Sequence, residues 1–174
     1  MSAIGVAFDI VVPEVEEVTE GDPAEVVLEN AERKARAGAV AAGEAVIVLG
    51  VDTEVVLGGR ILGKADGEAA ARERLSELSG RTHTVLSGVV LLGPRDGEER
   101  RGVASSEVSF RALDERTLGM YLRSGEWRDR AGAYAIQGLG SMLVERVAGD
   151  FSNVVGLPLR LLAALAPELL ETPG

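Results

Sequence analysis

Two strand-like runs, Thr82–Leu92 and Val103–Phe110, flank the segment Gly93-Pro94-Arg95-Asp96-Gly97. Runs this rich in β-branched and apolar residues favour strands, and a glycine-bounded Pro-Arg-Asp segment reverses the chain between them. The pair is therefore expected at the centre of a sheet, against which the rest of the chain must pack. Around it, helical and strand patterns alternate. Val6–Val12 reads as a strand halted by Pro13 and the acidic run Glu14-Val15-Glu16-Glu17. Pro23 opens an alanine-rich, charged helix from Ala24 to about Ala42, ending near Gly43. Ala45–Val51 is a continuous apolar run, as expected of a strand covered on both faces, and it delivers Asp52 to its carboxyl end. Thr53–Leu57 and Arg60–Leu62 flank Gly58-Gly59 as a hairpin. Asp66 is placed to cap a helix that ends at Leu78 before Ser79-Gly80. Asp114 caps a helix to about Arg123, and Pro158 begins a last one through Leu170. Helices alternating with strands, plus one long hairpin, predict an α/β fold with a mixed rather than purely parallel sheet.

A chain of 174 residues is expected to form a single domain over 1–174, able to bury about 70% of its unfolded surface. Cysteine is absent, which excludes disulfides, thiolate metal sites and a cysteine nucleophile. No basic, apolar leader pattern opens the sequence, and no apolar run approaches the roughly 20 residues of a membrane span. A soluble, cytoplasmic protein without a membrane partner is expected. The formal charge of −10 argues against a general nucleic-acid surface, which needs clustered Lys and Arg. A small anionic ligand remains compatible with it, provided local cations or Mg²⁺ offset the global field.

Of 18 basic residues only Lys34 and Lys64 are lysines, and both fall around the Val51-Asp52-Thr53 segment. An ammonium on a flexible stem is a mobile point charge for phosphate oxygens. Asp52 fits either a metal-binding or proton-accepting carboxylate or a turn aspartate bonded to its own backbone. Thr53 is either a strand residue or a hydroxyl for a base or sugar. Glu14, Glu16 and Glu17 offer carboxylates of the kind Mg²⁺ takes one or two at a time, Glu16 being the one singled out, although acidic loop residues commonly only face water. The sole histidine, His83, cannot build a histidine metal cluster and fits a hydrogen-bonded strand residue better than a general base. No Gly-x-Ser-x-Gly elbow supports a serine nucleophile. Gln137 stands in the small, apolar stretch Ala131–Gly140, where glycines allow close backbone approach to a flat ligand and the amide can read a base edge or satisfy a packed loop.

Taken together, Val51-Asp52-Thr53-Glu54-Val55-Val56, Ile61-Leu62-Gly63-Lys64, Leu78-Ser79-Gly80-Arg81-Thr82-His83, Ala131–Gly140 and Gly149-Asp150-Phe151-Ser152-Asn153-Val154-Val155-Gly156-Leu157-Pro158 resemble the Maf family of nucleoside triphosphate pyrophosphatases in order and spacing. The resemblance implies a Maf/inosine-triphosphatase-like fold, a mixed twisted sheet flanked by helices with a cleft between two lobes. It implies hydrolysis of a nucleoside triphosphate between its α- and β-phosphates, with a divalent cation, Mg²⁺ or Mn²⁺, and a homodimer. Asp52 matches the proton acceptor. Lys34, Lys64 and Glu16 match other active-site positions, with Asp52 and Glu16 as metal ligands, and Thr53, Gln137, Arg81 and Thr82 match substrate-binding positions. The Arg-Thr-His block and Tyr-Ala-Ile-Gln-Gly resemble the dTTP/UTP branch, which implies a pyrimidine nucleotide.

One departure accompanies the resemblance. Family members begin with a strand and a Ser-x-Ser-Pro-Arg-Arg loop that holds phosphate, whereas Met1-Ser2-Ala3-Ile4-Gly5 matches the end of the helix that follows. Losing that loop would remove part of a phosphate cradle and bare apolar surface where a strand pairs. The alternative expectations are a catalytically weak nucleotide-binding or division-regulatory protein, and a relative that cleaves inosine triphosphate.

Overall fold

The fold is that of a computed structural model, and the structure describes residues 5–42, 46–93 and 98–169. Helix α1 (Pro23–Ala42) comes first, followed by β1 (Val48–Leu57), β2 (Arg60–Ile61), α2 (Glu68–Leu78), β3 (Thr82–Leu92) and β4 (Glu99–Phe110). Helix α3 (Glu115–Ser124), a 3₁₀ turn (Gly138–Leu143), β5 (Val144–Ala148), α4 (Phe151–Val155) and α5 (Leu159–Leu165) complete the order. The strands lie in the order β2-β1-β3-β4-β5. The expected helix-flanked α/β architecture is present with β3 at its centre; each pairing between these strands is antiparallel, where a mixed sheet was expected.

Alternation along the strands sorts side chains to two faces. On one face α1 lies close to the backbone of the two central strands. A methyl group on Gly88 would sit 2.2 Å from the Val27 carbonyl oxygen, and one on Gly50 would sit 2.2 Å from that of Ala31. The opposite face carries Val55, Val85 and Val108 into the main core, where they meet Leu75 and Leu78 of α2 and Leu118, Tyr121 and Leu122 of α3. Helix α5 packs Leu162 against Leu91.

Several elements follow the sequence reading closely. Asp114 caps α3 by accepting from the Thr117 amide at 2.8 Å, as its position predicts. Others differ. Val6–Val12 forms no strand: residues 5–20 are irregular, with Ile10 78% and Val12 86% exposed. A strand requires a neighbour to receive its backbone hydrogen bonds, and none of the described strands flanks this run. Ala45–Val51 and Thr53–Leu57 are not two pieces meeting at Asp52. From Val48 onward they form the single strand β1, held in register with β3 from Val48↔Leu92 to Val56↔Thr84, so Asp52 sits mid-strand opposite Gly88. Asp66 does not cap α2; Gly67 takes that position without a side-chain bond. The final helix stops at Leu165, and Pro167 begins a short 3₁₀ turn to Leu169. Strand β5 and helix α4 have no counterpart in the sequence reading. Residues 94–97 of the predicted hairpin turn, the helix end at Gly43, Ala45 and Leu170 lie outside the described residues.

Candidate active site

The site begins with an unpaired edge. Beyond β1 the sheet continues only as the two-residue β2, which pairs with Val56 and Leu57. The Leu62 amide also donates to the Val55 carbonyl at 2.7 Å; before Val55 no described strand pairs with this edge of β1, and a cavity of about 230 Å³ opens beside it. Because the strand alternates, Asp52 faces α1 while Thr53 faces the Ala131–Gly140 loop and α4. Both residues line the same cavity, together with Lys34, Lys64, Tyr134 and Gln137.

Helix spacing builds the charged end. Asn30 and Lys34 lie one turn apart on α1. Lys34 Nζ donates to Asp52 Oδ1 at 2.5 Å, and Asn30 Nδ2 donates to Asp52 Oδ2 at 3.3 Å. Asp52 is only 6% exposed, so these donors supply what water cannot. Asn30 also holds the preceding segment: it accepts from the Val18 amide at 2.7 Å and donates to the Val18 carbonyl at 2.9 Å. That grip turns Glu17 inward, where its carboxylate bridges Lys34 at 2.7 Å and Lys64 at 3.5 Å. Lys64 is placed by a backbone bridge to Ala131 and by the Gly132 amide donating to the Leu62 carbonyl at 2.6 Å.

The ionisation states follow from these contacts. The Lys34 hydrogen bond, reinforced by both lysine charges, outweighs burial and lowers the Glu17 pKa. Burial opposes the Lys34 charge, but its bonds to Asp52 and Glu17 prevail and raise its pKa. Glu54, two residues along β1 from Asp52 and so on the same face, behaves differently. Burial, with the Asp52 and Glu17 charges adding to it, pushes its carboxyl up to about 7, and its Oε2 is buried without a hydrogen-bond partner.

The uncharged end is formed by the loop before the 3₁₀ turn. Tyr134 is 6% exposed and its hydroxyl meets His83 Nε2 at 2.9 Å, with Phe110 packed edge-on to both rings. Thr53 Oγ1 lies 2.8 Å from Ser87 Oγ. Gln137 is exposed, and its side chain makes no hydrogen bond among the described residues. One cleft thus joins two ammoniums and a buried carboxylate to a hydroxyl and an amide of the kind that read a heterocycle.

Comparison with known sequences decides the lineage, since residues 1–169 match the Maf-like protein family. The chain belongs to that family. A Deinococcus radiodurans dTTP/UTP pyrophosphatase is 45% identical over 163 residues, covering 93% of this chain and 82% of that protein. The dTTP/UTP pyrophosphatase of Thermococcus kodakarensis is 46% identical over 84% of this chain and 77% of its own length. That of Dictyoglomus thermophilum is 42% identical over 95% and 87%.

As a Maf-like protein, the chain brings Asp52, Lys34, Lys64, Thr53 and Gln137 together around one cavity. It does not bring in Glu16, Arg81 or Thr82. The Glu16 side chain is exposed, its carbonyl accepting from Arg33 at 2.8 Å, and its neighbour Glu17 occupies the charged end instead. Arg81 and Thr82 are exposed at the start of β3 and do not line the cavity. There Thr82 Oγ1 meets Ser109 Oγ at 2.8 Å across the β3–β4 pair. The sequence reading gave no separate role to Asn30 or Glu54. Both had a signal, Asn30 one helical turn before Lys34 and Glu54 two strand positions after Asp52.

Hard oxygen donors suit a divalent cation, and Mg²⁺ takes one or two carboxylates alongside substrate phosphates and waters. No group of three or more metal-ligating side chains forms a cage among the described residues. Asp52 and Glu17, both bonded to Lys34, match the sparser requirement.

Proposed function

We propose that this protein hydrolyses dTTP and UTP between the α- and β-phosphates, releasing the nucleoside monophosphate and pyrophosphate. What carries the reading is the single cleft that sets Asp52 and both lysines opposite Thr53 and Gln137. The names of the relatives described above support the substrate class.

In this mechanism Lys34 and Lys64 face the polyphosphate and offset its charge. Asp52 accepts the proton of the attacking water, with Lys34 and Asn30 orienting its carboxylate. A bound Mg²⁺ or Mn²⁺, held by Asp52 and Glu17, would supply further charge neutralisation at the phosphates. Thr53 and Gln137 read the pyrimidine from the other end. The protein works as one domain over 1–174 and, on the family resemblance, as a cytoplasmic homodimer. No helix among the described residues is long and apolar enough to cross a membrane.

Pyrophosphate release from dTTP, UTP and CTP with Mg²⁺ tests the proposal. Asp52→Asn is expected to lower turnover roughly 10²–10⁴-fold with the fold intact by circular dichroism; near-normal release would remove Asp52 from the mechanism. Calorimetric binding of UTP by the unsubstituted chain without turnover would favour the nucleotide-binding alternative.

A further inference from the structure

The 3₁₀ turn at Gly138–Leu143 begins at Gln137, whose own side chain does not cap it. Its first amides are satisfied from another element. Glu126, just beyond α3, accepts from the Leu139 amide through Oε1 at 3.1 Å and from the Gly140 amide through Oε2 at 3.1 Å. The carboxylate lies so close that a methyl group on Gly138 would fall 2.8 Å from Glu126 Oε1, and Gly138 holds a φ of 65°.

Glu126 is itself firmly placed. Its amide donates to Ser124 Oγ at 3.2 Å, and the next residue, Trp127, anchors the corner by donating from Nε1 to the Leu122 carbonyl at 3.0 Å. A third bond fixes the loop nearby, the Ala135 amide donating to the Tyr121 hydroxyl at 3.0 Å.

We propose that Glu126 is a positioning residue for nucleotide recognition: by capping the turn in place of Gln137, it fixes the Gln137 backbone and leaves the Gln137 amide free for the base. The inference rests on the nucleotide reading above. Short polar side chains at a helix start bond the turn's own amides, and a glutamine turned to that task is lost to a ligand. A carboxylate arriving from α3 performs the same task, and its charge suits the positive end of the turn. Base selection then depends on a residue that need not touch the base.

The test is a double-mutant cycle on Glu126→Ala and Gln137→Ala, with kcat and KM measured for UTP and CTP. Glu126→Ala is expected to raise KM for UTP about tenfold. It should erode the UTP-over-CTP preference by a similar factor, with the loss falling on KM rather than kcat. In the Gln137→Ala background the same substitution should add nothing, and binding of inorganic pyrophosphate should be unaltered throughout. Glu126→Gln, which keeps one acceptor, should fall between and serves if the alanine variant does not fold. An unchanged KM, equal effects in both backgrounds, or weakened pyrophosphate binding would overturn the inference while leaving the proposed function standing. Absence of any nucleotide turnover by the unsubstituted protein would overturn both.

Discussion

At the scale of single residues, the charged end of the cleft is an alternating chain of Asp52, Lys34, Glu17 and Lys64. Two ammoniums and two carboxylates nearly cancel, which lets them share a partly buried space. Glu17 and Glu16 can be told apart by experiment. Glu17→Gln is expected to reduce activity about 10–100-fold, as loss of a metal-supporting group does, whereas Glu16→Gln should stay within about twofold. Equal losses, measured as pyrophosphate release against Mg²⁺ concentration, would return Glu16 to the site. The sequence marked out Asp52 and the two lysines because lysine is so scarce here. It did not separate Glu16 from Glu17, because an irregular segment has no periodicity to say which side chain turns inward. Only the grip of Asn30 on Val18 settles that, and it is a contact between positions 12 apart in the chain.

Among the elements, the critical contact is α1 on the sheet. It brings Lys34 to Asp52, and it can do so only because Gly50 and Gly88 admit the helix backbone. Gly88→Ala would force α1 outward and is expected to destabilise the protein by about 1–3 kcal/mol in urea unfolding, with activity falling as Lys34 withdraws from Asp52. A neutral result in both measurements would mean that α1 can lift without consequence. Helices α1 and α3 and strand β3 were legible from propensity and from helix-start residues such as Pro23 and Asp114. Strand β1 was not read as one element, since Asp52 and Thr53 interrupt its apolar run. Its continuity comes from pairing with β3, a long-range effect that local pattern does not carry. Val6–Val12 has strand composition but meets no partner strand among the described residues, and β5 is too short and polar to stand out.

For the whole molecule, acid stability should depend on the buried aromatic cluster around His83. The ring is 2% exposed, its Nε2 meets Tyr134 and its Nδ1 has no partner among the described residues, and burial lowers its pKa to about 4 from 6.5. The unfolded chain therefore binds this proton first as pH falls. Stability from this source is intact above pH 6.5 and is lost as pH falls through about 4, amounting to about 3 kcal/mol over the window. His83→Phe removes that titration, and urea unfolding near pH 7.5 and near pH 4 should show a correspondingly smaller acid loss. Identical pH sensitivity in the two proteins would clear His83 of the effect.

The bridge that Glu17 makes between the two lysines also bears on how the cleft empties. If the two lysines hold the polyphosphate as proposed, neither ammonium waits bare for it: the incoming chain would have to displace the Glu17 oxygens, and the same oxygens could close in behind a departing pyrophosphate. On that mechanism, such built-in rivalry would loosen the hold on product as well as on substrate.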